Sequence, residues 1–441
     1  MADRAPLPQT PSTFTNASDT VSTVILGAGI IGCSTAYYLA HSGNTKPDTI
    51  HLIESSPELF ASASGKSGGF LAADWFGPAS ADLGELSFRL HKELAEEHDG
   101  RHNWGYSRST GISLVEGLPS RKQKGSKNGG WMSEGGSRAE AAGMHEFQGP
   151  KVGPAWLKRR NGDKVDIISE AESTAQVDPL RLSQWLLKTS QEKGVHLHQP
   201  ARAVRLCGDS ETGNLGNILI RHDNSEEYTI PCTRLVVAAG AWSAQVYFQL
   251  FPSSSLKLGI SQLAGHSVVV RSPRWKQEME DKDGCHAIFT SMHSGFSPEV
   301  FSRIGEEIYI AGLNDPALPL PETPGDAHID QQSIVQLTAI AHKLLGPDAA
   351  DEMPSDIEVV REGLCFRPVT RRGVPILAQV PDESLGDGLR TKERPYGGVF
   401  VAAGHGPWGI SLSLGSGKVM QEMAEGVNMS ADVSGLGPEE V

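Results

Sequence analysis

The alternation of apolar and polar positions predicts a β–α–β unit at the start of the chain. Residues 21–26 form a short, mostly apolar and β-branched run that ends at a glycine, which is typical of a buried strand. Residues 30–42 have a helical pattern, and Gly43 stands where helices commonly end. Residues 49–53 predict a second strand, which completes the unit.

Later segments carry the same signals. A helix is predicted from the Asp178-Pro179 pair to Lys193, closed by Gly194, and another at residues 411–423. Strands are predicted from Val195 onward and at residues 235–240, 268–271, 308–312 and 399–403. Residues 1–20, rich in proline, serine and threonine, predict a disordered lead. Glycine, serine and lysine are concentrated within residues 117–162, which predicts a long surface insertion.

A glycine pattern joins the first predicted strand to the first predicted helix. Residues 27–32 read G-x-G-x-x-G. Gly27 permits a tight turn, Gly29 lets the backbone approach a pyrophosphate, and Gly32 lets the helix pack closely on the strand. The N–H groups at the start of the helix would face the phosphates. Such turns also occur without a ligand, but here a strand precedes the pattern and a helix follows it, as dinucleotide binding requires.

An acidic residue closes the second predicted strand. Glu54 lies 22 residues after Gly32, where a carboxylate accepts hydrogen bonds from ribose hydroxyls. The alternative is a surface carboxylate at a strand end. The glycine motif, its position between a strand and a helix, and the acidic Glu54 together predict nucleotide binding.

Composition narrows the class of protein. The 441 residues allow two or three domains, and the formal net charge of −14 argues against a nucleic-acid partner. No apolar run is long enough to span a bilayer, and no signal peptide or peroxisomal tripeptide is recognisable, so we expect a cytoplasmic protein. The cysteines are odd in number and form no C-x-x-C pair, which argues against disulfides and a zinc site: Cys33, Cys207, Cys232, Cys285 and Cys365.

Five blocks in order resemble the D-amino-acid oxidase superfamily, which includes glycine oxidase and monomeric sarcosine oxidase. The blocks are the small, hydroxyl-rich loop at residues 61–69, the Asp178-Pro179 helix with the strand that holds Val204, residues 236–243, residues 365–375, and the glycine motif at residues 404–410. The amino-acid sequence of residues 65–72 is most similar to that of a fungal branch of oxidoreductases. A nicotinamide-linked Rossmann enzyme is disfavoured by the later blocks.

The resemblance implies an α/β fold with a discontinuous Rossmann-type FAD-binding domain and a second, substrate domain on a mixed or antiparallel sheet. We expect the FAD-binding domain at residues 21–74, 171–257 and 361–441, and the substrate domain at 75–170 and 258–360. In this family a hydride leaves the carbon beside an amine nitrogen for flavin N5. The imine then hydrolyses, and O2 accepts the electrons and yields H2O2.

The resemblance also implies site residues. Arg367 matches the position of a carboxylate-binding arginine, and the alternative is a structural arginine paired with a surface acid. His405 would tune the flavin, assist the oxygen chemistry or serve as a neutral structural residue, and Trp408 would pack over the cavity. Trp75 and His266 are weaker cavity candidates. The residues expected to contact FAD are Gly27, Gly29, Ile30, Ile31, Gly32, Glu54, Ser62, Ser64, Gly65, Ser67, Gly68, Gly69, Val204, Ala239, Gly240, Trp242, Gly404, Gly406, Gly409 and Ile410.

Several alternatives stay open on sequence alone. Cys365 matches a position that binds flavin covalently in sarcosine oxidase, but the neighbouring Arg367-Pro368 favours noncovalent FAD. No motif fixes an oxygen-activating lysine, for which Lys257, Lys276 and Lys282 are the candidates, so another electron acceptor than O2 is possible. A 2-hydroxy-acid dehydrogenase and a flavin-bound regulatory or assembly protein are the competing functions. We expect a monomer that binds no metal.

Overall fold

The structure is a computed structural model that describes residues 21–117, 129–144, 153–160, 162–209, 211–293, 295–346 and 356–438. The lead expected at residues 1–20 lies outside the described residues. So do residues 118–128, 145–152 and 161 of the expected insertion at 117–162. The other residues of that insertion are described, and one of them, Arg138, lines the functional site described below.

The described residues contain the following strands and helices. The strands are β1 (Thr23–Leu26), β2 (Ile50–Ile53), β3 (Phe70–Ala72), β4 (Ser107–Val115), β5 (Lys164–Ser169), β6 (Thr174–Gln176), β7 (His196–His198), β8 (Ala201–Gly208), β9 (Leu215–His222), β10 (Glu227–Pro231), β11 (Arg234–Val237), β12 (Ile260–Arg271), β13 (Cys285–Ser291), β14 (Glu299–Arg303), β15 (Glu307–Asp315), β16 (Glu358–Thr370), β17 (Ile376–Val380) and β18 (Gly398–Ala403). The helices are α1 (Ile30–His41), α2 (Ala63–Lys66), α3 (Ala81–Glu97), α4 (Gly100–Trp104), α5 (Arg138–Ala141), α6 (Pro179–Lys193), α7 (Ser243–Leu250), α8 (Gln277–Asp283), α9 (Gln331–Leu345) and α10 (Ser413–Glu425). In the described part of the chain, no helix combines the length and the apolar character that crossing a bilayer would need.

The first sheet is a Rossmann-type sheet in the order β17-β18-β11-β1-β2-β7. Neighbouring strands are parallel except for β17, which runs antiparallel to β18. Side chains of β1 alternate between two cores: Ile25 packs under α1, α6 and α10, whereas Val24 and Leu26 pack under α7 and the three-stranded sheet β10-β9-β8. This architecture confirms the α/β, Rossmann-type fold class expected from the sequence.

Helix α6 shows why the sequence signals located its ends correctly. The carboxylate of Asp178 accepts hydrogen bonds from the backbone N–H groups of Leu180 and Arg181, and Pro179 occupies the first turn, where its missing N–H costs nothing. Gly194 closes the helix at a φ of 115°, a conformation that glycine adopts without strain. The helix therefore begins and ends where the Asp-Pro pair and the glycine predicted.

The second sheet is mixed and follows the order β16-β12-β15-β14-β13-β4-β6-β3, with β5 on β4. Its pairs are antiparallel except for β13 with β4. Alternation along β15 sends Ile308 and Ile310 into a core under α9, while Tyr309 points to the opposite face together with Phe301 of β14. That opposite face looks toward the first sheet and forms one wall of the cavity described below.

The two sheets share segments of the chain. Strand β16 pairs with β12 along its whole length, and β3 pairs with β6, although all of β3 and β6 and most of β16 fall in ranges expected for the FAD-binding domain. The expected domain limits stay a prediction. The strand pairings show that segments within the ranges expected for the FAD-binding domain contribute strands to the second sheet. Because the chain crosses between the sheets at these strands, residues distant in sequence meet at the boundary.

Candidate functional site

A cavity of about 400 Å³ lies between the two sheets. The first sheet contributes the turn between β1 and α1, the end of β2 and residues 238–242, and the three-stranded sheet contributes the start of β8. The second sheet contributes residues of β14, β15 and β16, the loop at residues 60–70 leads from the first sheet into it, and residues 402–410 come from the end of β18 in the first sheet and the turn after it. The carboxyl ends of the parallel strands meet here, which is where ligands of open α/β sheets bind.

The glycine turn brings backbone amides to the cavity. Gly27 has a φ of 103°, and a Cβ there would lie 2.6 Å from the carbonyl oxygen of Ala238. A Cβ on Gly32 would lie 2.0 Å from the oxygen of Gly27, so neither glycine can be replaced without moving backbone. Helix α1 starts immediately afterwards, and its Ile30 N–H donates to Ser64 Oγ at 2.9 Å. The start of this twelve-residue helix fits a dinucleotide diphosphate.

Glu54 stands at the end of β2 beside this turn. Its Oε2 accepts a hydrogen bond from Ala28 N at 3.0 Å, and its Oε1 accepts one from Ser56 N at 2.8 Å. Burial raises the pKa of the Glu54 carboxyl, an effect that these backbone donors oppose. The carboxylate is thus held at the rim of the diphosphate cradle, where a ribose would lie.

The loop at residues 61–69 is fixed from below by a buried arginine. Arg303, only 1% exposed, donates to the carbonyl oxygen of Gly68 from Nε at 3.1 Å and from Nη2 at 2.8 Å. A Cβ on Gly68 would meet the ring of Phe301 at 2.6 Å. Ser62 Oγ accepts from Phe366 N at 3.1 Å, which ties the loop to β16. Arg303 was not identified from the sequence. The one feature that could have indicated it is a charged residue at the end of an apolar strand.

Most residues expected to contact a dinucleotide line the cavity. They are Gly27, Gly29, Ile30, Ile31, Glu54, Ser62, Ser64, Ser67, Gly68, Gly69, Ala239, Gly240, Trp242, Gly406, Gly409 and Ile410. Gly32, Gly65, Val204 and Gly404 do not line it. Gly65 instead allows close packing, since a Cβ there would lie 2.3 Å from the oxygen of Phe60, and Val204 follows the three residues of β8 that do line the cavity. The contacts of all these residues with a ligand stay predictions.

Arg367 lies in the cavity wall on β16, as expected. Its Nη1 donates to Asn314 Oδ1 at 2.8 Å, and a Cβ on Gly265 would lie 2.1 Å from that nitrogen. Burial opposes the charged form, but the nearby Cys365, Tyr309 and Glu299 outweigh it and raise the pKa of Arg367. The guanidinium therefore stays positive, held by a neutral amide.

A second arginine reaches the cavity from the segment expected to be a surface insertion. Arg138 of α5 donates from Nε and Nη2 to the two carboxylate oxygens of Glu299, at 2.8 and 2.9 Å. Its Nη1 donates to the carbonyl oxygen of Pro407 at 3.0 Å, and its guanidinium lies 4.9 Å from the ring centre of Trp408. Arg138 and Glu299 both line the cavity, and neither was singled out from sequence.

His405 lines the cavity but is buried and hydrogen-bonded to the protein, and Trp408 lies outside the lining. His405 is 2% exposed, and its Nε2 hydrogen bonds with the hydroxyl of Ser416 at 2.9 Å. Burial lowers the pKa of His405 to about 3, so the ring is neutral. Trp408 does not line the cavity and packs edge-on against Phe76, 4.9 Å between ring centres. The geometry favours structural roles for both side chains.

The weaker candidates lie away from the cavity. Trp75 packs in the aromatic core beside Phe289, and His266 Nε2 accepts from Asp330 N at 3.1 Å at the start of α9. None of Lys257, Lys276 and Lys282 lines the cavity. Cys365 does line it and is buried. Within the described residues, no group of three or more histidine, cysteine, aspartate or glutamate side chains could hold a metal ion.

Comparisons with known proteins agree with this site. The model of the DAO family, described as FAD dependent oxidoreductase, matches residues 22–423. A protein of Schizosaccharomyces pombe described as an oxidoreductase is 27% identical, over 96% of this chain and 99% of its own. TDA3 of Saccharomyces cerevisiae, which is also described as an oxidoreductase, is 24% identical, over 94% of each chain. The crystal structure of glycine oxidase from Geobacillus kaustophilus has a TM-score of 0.68 at 20% identity, covering 96% of this chain and 99% of that one.

Gly27→Ala should abolish dinucleotide binding, because the added methyl would collide with backbone at Ala238. Gly43→Ala is the matched control: Gly43 also has a positive φ, 78°, but a Cβ there meets nothing within 4 Å. Both substitutions place a side chain at a positive φ, which should cost about 1 kcal/mol of stability through backbone strain, and Gly27→Ala adds the cost of the collision. Only Gly27→Ala should lose bound FAD, measured as flavin absorbance per mole of purified protein. Equal flavin content in the two variants would contradict the cradle.

Two fully buried histidines predict a loss of stability in acid. His91 donates from Nε2 to the carbonyl oxygen of Ile410 at 3.0 Å, and burial lowers its pKa to about 4. The folded pKa values of His91 and His405 lie below the unfolded value of about 6.5, so the unfolded chain binds more protons. Stability should be complete above that pH and fall as the pH decreases, by about 2 kcal/mol for each histidine between pH 7 and pH 5.

Urea unfolding of the wild type at pH 7, 6 and 5 measures this loss. His91→Gln should unfold at lower urea at pH 7 but lose less stability on acidification than the wild type does. His102→Gln, at an exposed position, should show the wild-type pH dependence. The same acid loss in His91→Gln as in the wild type would contradict the assignment.

Proposed function

Because this chain belongs to the DAO family of FAD-dependent oxidoreductases, we propose that it oxidises the carbon–nitrogen bond of a small amine or amino acid that carries a carboxylate. The observation that carries this proposal is Arg367, a cation in the wall of the cavity. A guanidinium there can bind a carboxylate through two parallel hydrogen bonds. The names of similar proteins, glycine oxidase among them, agree with this class of substrate.

The donors of Arg367 support a carboxylate site. Its Nη1 is committed to Asn314, whereas for Nε and Nη2 the described residues supply no acceptor. A charge in a cavity with apolar walls is costly unless a partner neutralises it, and a substrate carboxylate would be that partner. Gly265 and Asn314 fix the guanidinium from two sides, so its orientation is set before a ligand arrives.

The chain's own residues also suit the cofactor. The N-terminus of α1 would hold the diphosphate of FAD, Glu54 a ribose, and the loop at residues 61–69 with the glycines at 404–410 the flavin end. When bound, FAD supplies the redox chemistry by accepting a hydride from the carbon beside the nitrogen. The protein's part is to position that carbon and to exclude water.

The low exposure of the cavity favours the reactive form of an amine. Arg367 would be paired with the substrate carboxylate, and His405 is neutral, so no lining histidine competes as a cation or an acid. Burial disfavours the charged form and therefore lowers the pKa of a bound ammonium group. The amine would therefore be bound closer to its neutral form, whose lone pair supports loss of the hydride.

We place FAD in the cavity without a covalent bond and take O2 as the electron acceptor. Cys365 lines the cavity, but its neighbours on β16 belong to the substrate wall, with Arg367 two residues further on. The candidate lysines lie outside the lining, so oxygen would react without a lysine from that set. Hydrogen peroxide, measured in the amine screen below, identifies oxygen as the acceptor.

Arg367→Ala should raise the KM for a carboxylated amine by about 30-fold or more, because the buried carboxylate loses its charged partner. The KM for the same amine without its carboxylate should change little. Gly265→Ala, which displaces the guanidinium, should show the same trend. Arg205→Ala, at an exposed position on β8, is the control. Peroxide production over a panel of amines and 2-hydroxy acids gives the kinetics, and an unchanged KM with full flavin content in Arg367→Ala would refute the role.

Acid precipitation tests the mode of flavin attachment. A noncovalent cofactor should be released, leaving a yellow supernatant and a colourless pellet. Cys365→Ser should behave as the wild type does, with the same flavin content. Yellow colour that stays in the wild-type pellet and leaves it in Cys365→Ser would show a thioether bond and overturn this part of the proposal.

A further inference from the structure

The wall of the cavity holds a closed ion pair beside Arg367. Arg138 and Glu299 are joined by two hydrogen bonds of 2.8 and 2.9 Å, with side chains only 9% and 14% exposed. All three side-chain nitrogens of Arg138 already donate, the third to the oxygen of Pro407. Arg138 is therefore committed to the protein and is a poor second site for a ligand carboxylate.

We propose that Arg138 is a specificity-determining residue, which neutralises Glu299 so that the cavity accepts an amine with one carboxylate at Arg367. This inference rests on the proposed function. The charges of the three side chains sum to one positive charge, which one carboxylate balances. Without Arg138, the carboxylate of Glu299 would be an unpaired anion in the same wall.

Glu299 lies where its charge would act on a bound ligand. Alternation along β14 places Glu299, Phe301 and Arg303 on one face, and the first two line the cavity. Low exposure means little solvent screening, so an uncompensated Glu299 would repel a carboxylate and attract a cationic amine. The pair with Arg138 removes both effects.

The same described segment also contacts Asn314, the hydrogen-bond partner of Arg367. Asn314 donates from Nδ2 to the carbonyl oxygen of Met132 at 3.1 Å while its Oδ1 accepts from Arg367. Arg138 thus balances the charge of Glu299 directly, whereas Met132 acts on Arg367 only through the amide of Asn314.

The test uses holoenzyme variants and acetate as the probe, with binding followed by the change in flavin absorbance. Arg138→Met keeps the length of the side chain but leaves Glu299 unpaired, and it should raise the Kd for acetate by about tenfold or more. Glu299→Gln leaves Arg138 positive and should lower the Kd severalfold. Arg138→Met/Glu299→Gln should return within about threefold of the wild type.

Steady-state kinetics supply the second readout. The ratio of kcat/KM for an amino acid to that for its decarboxylated amine should fall in Arg138→Met and recover in the double variant. If the pair had only a structural role, the Kd for acetate would shift in the same direction in both single variants, and the ratio of kcat/KM values would not change. The double variant also guards against misfolding, because it removes both charges of the pair together.

The outcomes separate the two proposals. Opposite shifts in the Kd of the two single variants support the role of Arg138. This inference alone is overturned if the wild type binds acetate through Arg367 while Arg138→Met, with full flavin content, has an unchanged Kd for acetate and an unchanged kcat/KM ratio. A wild type with no affinity for acetate and no activity on carboxylated amines overturns the proposed function and, with it, this inference.

Discussion

The functional cavity depends on one close approach of two backbone segments. At the turn between β1 and α1, the position of a Gly27 Cβ would lie 2.6 Å from the carbonyl oxygen of Ala238, at the end of the neighbouring strand. Only a glycine with a positive φ permits this approach, and it allows α1 to begin with its amides toward the cavity. Moving that turn would displace the diphosphate cradle, the rim at Glu54 and the contact of Ser64 with Ile30 together.

A second constraint comes from the other sheet, which supplies the charges. Strands β14 and β16 present Glu299 and Arg367, and the buried Arg303 holds the loop that joins the two halves of the site. Each of these charges has polar neighbours that fix it: Asn314 for Arg367, Arg138 for Glu299, and backbone carbonyls for Arg303. The first sheet thus fits the cofactor, and the second sets which ligand would lie against it.

The sequence predicted those features that local physics determines. The β–α–β pattern, the glycine turn, Glu54 and the capped helix α6 depend on residues close together in the chain, and the structure places them as expected. Arg367 was identified through its family block. The ion pair of Arg138 with Glu299 joins residues 161 positions apart, and no local pattern reports such a pairing. The same limit applies to residues 129–144, which were expected within a surface insertion. It also applies to strands β3 and β16, which pair in the second sheet although β3 and most of β16 fall in ranges expected for the FAD-binding domain.

The most direct measurement is a titration of the flavin-free chain with FAD and, separately, with NAD+, followed by calorimetry and by visible absorbance. The account predicts one FAD bound per chain, with the absorbance of a protein-bound flavin, and no competition from NAD+. A chain that stays colourless with FAD, or that binds NAD+ in preference, would contradict it.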